Sequence, residues 1–216
     1  MGLYPLTYLS AGSVLLFAVI ILWRKDIKAM VYAVSLQGIT LSAVGILEAL
    51  SKHNLALGQV GIETLILKGF IFPYLMFKIY TNSGSKRDTE PLINTTASMV
   101  YASIFIAIPF FAIGRLPYVS STPITKLAPL GFATLLVGLF IIITRRQVIS
   151  QIVGLIVFEN GISLISLLIL SGLPLMVEFG ESFDLLLVIV VLRVLATTIH
   201  KEFGNIDLAE MKGLHD

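Results

Sequence analysis

The sequence predicts an all-α, polytopic membrane protein of about seven transmembrane helices, with its N-terminus outside and its C-terminus in the cytoplasm. Three observations predict it. Of the 216 residues, 56% are hydrophobic and 13% charged, and the mean hydropathy is +0.95, which is too apolar for an ordinary soluble domain. The apolar residues form runs of about 20, the length a helix needs to cross the hydrocarbon core, and not the short alternating strands of a β-barrel. Lys and Arg gather in every second connection between those runs, as the positive-inside rule requires of short cytoplasmic loops.

The runs are read at Pro5–Trp23, Ile27–Leu50, Leu57–Tyr80, Ile93–Gly114, Ile124–Thr144, Val148–Gly172 and Ser182–His200. No basic stretch precedes the first, so it is expected to stay in the protein as a helix and not to be removed as a signal. Arg24, Lys25 and Lys28 follow the first run, Lys78, Lys86 and Arg87 the third, Arg145 and Arg146 the fifth, and Lys201 and Lys212 the seventh. Lys52, Arg115 and Lys126 are left for the opposite side. The aromatic residues Trp23, Tyr80, Tyr101 and Tyr118 fall mostly at run ends, as interface belts do.

Residues 81–91 form the longest polar stretch and divide the chain into an N-terminal three-helix unit (1–80), a linker with the fourth helix (81–122) and a C-terminal three-helix unit with a cytoplasmic tail (123–216). The two units share a pattern. Arg24-Lys25 precedes a helix containing Gln37-Gly38-Ile39-Thr40, and Arg145-Arg146 precedes one containing Glu159-Asn160-Gly161-Ile162-Ser163. Each unit then continues into a helix with one acid and one base, Glu63 with Lys68 and Asp184 with Arg193. A parallel duplication, as in many transporter folds, and a chance likeness of two hydrophobic stretches both account for this.

Composition excludes several chemistries. Without cysteine there is no disulfide, thiolate-bound cluster or cysteine nucleophile. The three histidines offer no pair at matched depth for haem, and His53 and His200 lie at run ends. No phosphate-binding loop, zinc-binding helix or nucleophile elbow is present. The formal charge of +2 gives no reason to expect nucleic acid as a partner. The lipid bilayer is the first partner, and the chain has neither a redox site nor a metal site of its own.

The informative residues are the ionisable ones at depth, because such groups cost several kcal/mol in lipid unless they face protein or water. At about 1.5 Å per helical residue, Glu159 and Lys68 lie roughly 16–18 Å from the cytoplasmic ends of their helices and Arg193 about 12 Å. Glu63 and Asp184 fall nearer the outer surface, and Glu48 at the outer end of the second run. Residues three, four and seven apart share a helix face, so Glu159, Ser163 and Ser166 form a polar stripe, while Gly154 and Gly161 form one suited to close helix packing. Asn160 and Gln37 are amides at depth that would relay protons or bridge helices. Glu159 paired with Lys68 or Arg193 is either a fixed ion pair or a proton carrier. A buried lysine can titrate near neutral pH and an arginine cannot, which makes Glu159, Lys68, Asp184 and Glu63 the proton-path candidates and Arg193, Asn160 and Gln37 the ion-pairing or helix-bridging ones.

The run Arg145-Arg146-Gln147, then Gln151-Ile152-Val153-Gly154 and Glu159-Asn160-Gly161, with the tail Asn205-Ile206-Asp207 and Glu210-Met211-Lys212-Gly213, resembles component E of the hydrogenase-4 type complexes. The resemblance extends to Lys68-Gly69-Phe70-Ile71-Phe72-Pro73 and so covers most of the chain. It implies a non-catalytic subunit of the cell's inner membrane within a complex I-like nickel–iron hydrogenase. Its partners would be other membrane subunits, antiporter-like ones included, and the nickel–iron centre and iron–sulfur clusters would reside in partner subunits. The last three helices resemble the small K-type subunit of complex I, with two departures. Gly154-Leu155-Ile156 lacks the acid of that subunit, Glu159 standing three residues later, and the second acid would fall near Leu186. A subunit of a multisubunit sodium/proton antiporter and a free-standing small-solute transporter are the alternative readings.

Overall fold

The computed structural model describes residues 3–83, 92–113 and 123–170, together with four isolated positions between 180 and 190. Among the described residues the secondary structure is helical apart from turns and single-residue bridges. Six helices are long and apolar enough to cross a membrane: Tyr4–Trp23, Ile27–Lys52, Leu55–Thr81, Thr95–Ala112, Thr125–Thr144 and Val148–Ile169. These match the first six expected runs. Of the seventh, 182–200, only Phe183, Leu186 and Val190 are described, and Asp184 and Arg193 lie outside the described residues.

Each helix starts and stops where local chemistry dictates. Pro5 opens α1 (Tyr4–Trp23), since a proline near the first helical position forfeits an N–H that would be unpaired anyway. The Asp26 carboxylate accepts from Lys28 N at 2.9 Å and caps α2 (Ile27–Lys52). His53, at φ 50°, ends α2 in the left-handed conformation that stops helices, and Asn54 caps α3 (Leu55–Thr64) one residue later. A π-helical segment, Leu65–Ile71, continues into α4 (Phe72–Ser83). Asn94 caps α5 (Thr95–Ala112). A single 3₁₀ turn at Thr125–Leu127 leads into α6 (Ala128–Thr144), and α7 (Val148–Ile165) runs into a second π segment, Ser166–Leu170.

The connections fix the up-and-down order. Leu92 N donates to Thr144 O at 2.9 Å, and Arg145 Nη2 donates to Leu22 O and, at 2.9 Å, to Arg24 O. The end of α1, the starts of α2, α5 and α7 and the end of α6 therefore share one surface, the basic side. At the other surface, the His53 side, Tyr8 Oη donates to Pro123 O at 2.9 Å. The α1–α2 and α6–α7 corners have the same backbone course. Arg24 (φ −75°, ψ 141°) and Arg145 (φ −89°, ψ 136°) are extended, and so are the cap residues Asp26 and Gln147.

Helices α6 and α7 pack closest, α2 holds the third span on one side and α1 on another, α2 also meets α7, and α5 lies at the periphery against α6 and α1. Two apolar clusters fill the interior. One, on the basic side, includes Ile21, Met30, Phe72, Met76, Phe140 and Val153. The other, on the His53 side, includes Val14, Val44, Leu57, Ile124 and Leu164. Leu186 packs against the first.

Candidate functional site

The local structure around Lys68 follows from Pro73. Proline has no N–H to return to the carbonyl four residues earlier and its ring crowds that carbonyl. Here that carbonyl is Gly69 O, which accepts instead from Ser35 Oγ on α2 at 2.6 Å. The turn ahead of Pro73 widens into the π segment Leu65–Ile71, a form often found at functional sites. Its backbone lies against Gly38, where an added Cβ would stand 2.5 Å from Lys68 O and 2.8 Å from Gly69 N. Only glycine leaves room for that approach.

With its backbone held against α2, Lys68 sends its side chain to α7. Its Nζ is 3.1 Å from Glu159 Oε1 and donates to Ser163 Oγ at 2.7 Å. Lys68 is 1% exposed and Glu159 8%, so the ion pair is shielded from lipid by protein. The polar stripe read from the sequence is buried along its length, Ser166 included. The glycine stripe of α7 faces α6. A Cβ at Gly161 would lie 2.5 Å from Leu135 N, and one at Gly154 2.9 Å from Ile142 N. This close packing fixes the face of α7 that carries Glu159.

A neutral chain of amides runs beside the pair. Asn160 Nδ2 donates to Gln37 Oε1 at 3.0 Å, and Gln37 Nε2 donates to Val14 O at 3.0 Å. Both amides are fully buried, and together they bridge α7, α2 and α1. Glu63 is buried in α3. The sequence placed Glu48 at a helix end, and the structure buries it completely and pairs it with Lys52 Nζ at 2.9 Å.

Three structural features of the candidate site and its scaffold escaped the sequence reading. The π segment had a signal, Lys68-Gly69 followed by Pro73 at the four-residue spacing that orphans a carbonyl. Ser35 and Gly38, which accommodate that segment, had none on their own helix. Arg145 was read as a loop charge that orients the chain, yet its guanidinium is buried and holds the terminal carbonyls of α1, which lack partners within the helix. Among the described residues no group of three or more acidic or histidine side chains could hold a metal ion.

No family model matches the chain, and no solved structure gives a significant match. Among curated proteins, it is 33% identical over 210 residues to the uncharacterized protein Rv0085 of Mycobacterium tuberculosis, covering 96% of this chain and 94% of that protein. It is 23% identical over 152 residues to hydrogenase-4 component E of Escherichia coli and of Shigella flexneri, covering 70% of this chain and 70% of each relative. The distant match agrees with the family resemblance read from the Glu159-Asn160-Gly161 helix, and with six membrane-length apolar helices it makes the chain a multi-pass membrane protein. The chain belongs to one family with Rv0085, a family distantly related to hydrogenase-4 component E.

Proposed function

We propose that this chain is a non-catalytic membrane subunit of a complex I-like nickel–iron hydrogenase or a related respiratory complex. It bridges the membrane arm and carries part of a proton path through Glu159 and Lys68. The observation that carries the reading is the buried Lys68–Glu159 pair, with Ser163 as a third partner, in a chain related to hydrogenase-4 component E. A carboxylate and an ammonium in direct contact are the acceptor and the donor that a proton relay needs. The hydrogen chemistry belongs to partner subunits, and the inner cell membrane is the expected location.

The test is Glu159→Gln, which keeps shape and hydrogen bonding and removes the charge. A proton carrier predicts normal assembly on blue-native gels with lost proton uptake in vesicles. A fixed ion pair predicts failed assembly, because breaking a buried pair costs about 3–5 kcal/mol, with recovery when Lys68→Met is added. Normal assembly with undiminished proton-coupled turnover refutes both roles. Affinity purification of the tagged chain tests the assembly itself. Co-purifying hydrogenase subunits support it, whereas antiporter subunits alone, or no partners, overturn it.

A further inference from the structure

Among the described residues of α2, the third span and α7, the buried polar side chains are distributed unevenly about the Lys68–Glu159 pair. From the pair toward the His53 side, α7 continues with Ser163 and the π segment beyond it opens with Ser166. The third span supplies Glu63 and Thr64, and α2 supplies Ser42 and Glu48, all buried. The series ends at Lys52, whose side chain is 37% exposed and meets Glu48 at 2.9 Å. Toward the basic side the same helices carry Ile152, Val153, Ile156 and Val157 on α7, with Phe72 and Met76 on the third span, all members of one apolar cluster. The next buried polar side chain along α7 is Ser150, nine residues from Glu159 and so about 13 Å away at the helical rise. Ser35, the nearest polar group of α2 on that side, donates to Gly69 O, as Ser42 on the His53 side donates to Gly61 O.

Among the described residues, unmet buried groups stand level with the pair and on both sides of it. Asn160 Oδ1, level with the pair, and Glu48 Oε1, nearer the His53 surface, are buried and accept no hydrogen bond. Both residues are fully buried. Buried acceptors of this kind are normally satisfied by water. On the basic side the Ser150 hydroxyl is likewise unmet, but it sits in the first turn of α7, beyond the apolar cluster.

We propose that the Lys68–Glu159 pair is hydrated from the His53 side alone. Ser163, Ser166, Glu63, Ser42 and Glu48 form a half-channel that admits water between the pair and that surface, and the apolar cluster around Val153 and Met76 seals the pair from the basic side. Hydroxyls and carboxylates spaced along one side can hold a water file. A stretch of branched aliphatic, phenyl and thioether side chains about 13 Å deep offers water no hydrogen bonds. With the Lys and Arg distribution placing the His53 side outside, this chain supplies the outer half of a path whose inner half is built elsewhere. The functional meaning rests on the proton-carrier reading above, whereas the hydration asymmetry does not.

The absence of cysteine in the whole sequence permits a direct test in native membranes. Single variants Ser42→Cys, Ser166→Cys, Ile152→Cys and Val157→Cys are exposed to a small cationic methanethiosulfonate, added to one face of the membrane at a time. Thiolates form in water and are suppressed in apolar surroundings, so Ser42→Cys and Ser166→Cys should react on the order of tenfold faster from the His53 face than from the basic face, and Ile152→Cys and Val157→Cys from neither. Reaction of Val157→Cys from the basic face at the Ser166→Cys rate overturns the proposal. So does an unreactive Ser42→Cys and Ser166→Cys pair in chains retained at wild-type abundance. The wild-type chain gives a second measurement that needs no variant to fold. Amides of 159–167 should exchange with deuterium on the order of tenfold faster than those of 152–157, and equal protection counts against it. If Glu159→Gln spares proton uptake while the labelling pattern holds, the carrier reading fails and the one-sided access stands. The opposite pair of results fails the access and spares the carrier.

Discussion

Asn160 of α7 donates from Nδ2 to Oε1 of Gln37 on α2 at 3.0 Å, and Gln37 passes the chain on to Val14 O of α1. Three helices are thereby tied at the depth of the ion pair by neutral groups that need no counter-ion. Such bonds between membrane helices are worth about 0.6–2 kcal/mol. Loss of one partner exposes the other to a penalty of about 1–3 kcal/mol for a buried unsatisfied group. Asn160→Leu and Gln37→Leu should therefore each destabilise the solubilised chain, and the double variant should lose less than the two single losses together. A double-mutant cycle on thermal unfolding measures the coupling, expected at about 1 kcal/mol. Strict additivity would mean that the amides do not act as a pair.

The approach of α2 to the π segment gives a steric prediction. Gly38→Ala places a methyl 2.5 Å from Lys68 O and 2.8 Å from Gly69 N, both backbone atoms that cannot rotate away. Overpacking of this kind costs about 1–3 kcal/mol, and relief by separating the helices would also pull Lys68 from Glu159. Gly12→Ala is the matched control, since nothing lies within 4 Å of its added methyl, and its effect should stay within about 0.5 kcal/mol. Equal thermal stability of the two variants would contradict the assigned contact.

Ser35 and Pro73 are coupled through one carbonyl. Ser35→Ala should cost about 1 kcal/mol, because Gly69 O then loses the Ser35 donor. In a Pro73→Ala background a backbone N–H becomes available four residues after Gly69, so removing the Ser35 hydroxyl should cost less. An unchanged cost of Ser35→Ala in both backgrounds would show that proline is not what orphans the carbonyl.

The orientation inferred from Lys and Arg has its own check. A cysteine at His53, an exposed residue between α2 and α3, should be labelled by an impermeant maleimide outside intact cells, and one at Ser85 should be protected until the cells are opened. The reverse pattern would invert the chain in the membrane and the direction of any path through Glu159 with it.

The sequence by itself determined the membrane-spanning class, the approximate extent of the first six spans, and the positions of Lys68 and Glu159 far from the ends of their helices. These depend on run length and counting along a helix, both of which are local. It also placed Glu159, Ser163 and Ser166 on one face and Gly154 and Gly161 on another, because helical periodicity needs only spacing. What it left open was whether Lys68 or Arg193 meets Glu159, since both lie in apolar runs and depth does not fix rotation about a helix axis. The tertiary structure brings Lys68 to Glu159, and Arg193 lies outside the described residues. Gly38 lets α2 and the third span come into backbone contact, the π turn ahead of Pro73 sets the angle at which Lys68 leaves its helix, and the glycine face of α7 against α6 aims Glu159 toward it. The burial of Arg145 and of Glu48 likewise depended on neighbours distant in sequence or on packing around a helix end, which spacing along the chain does not encode.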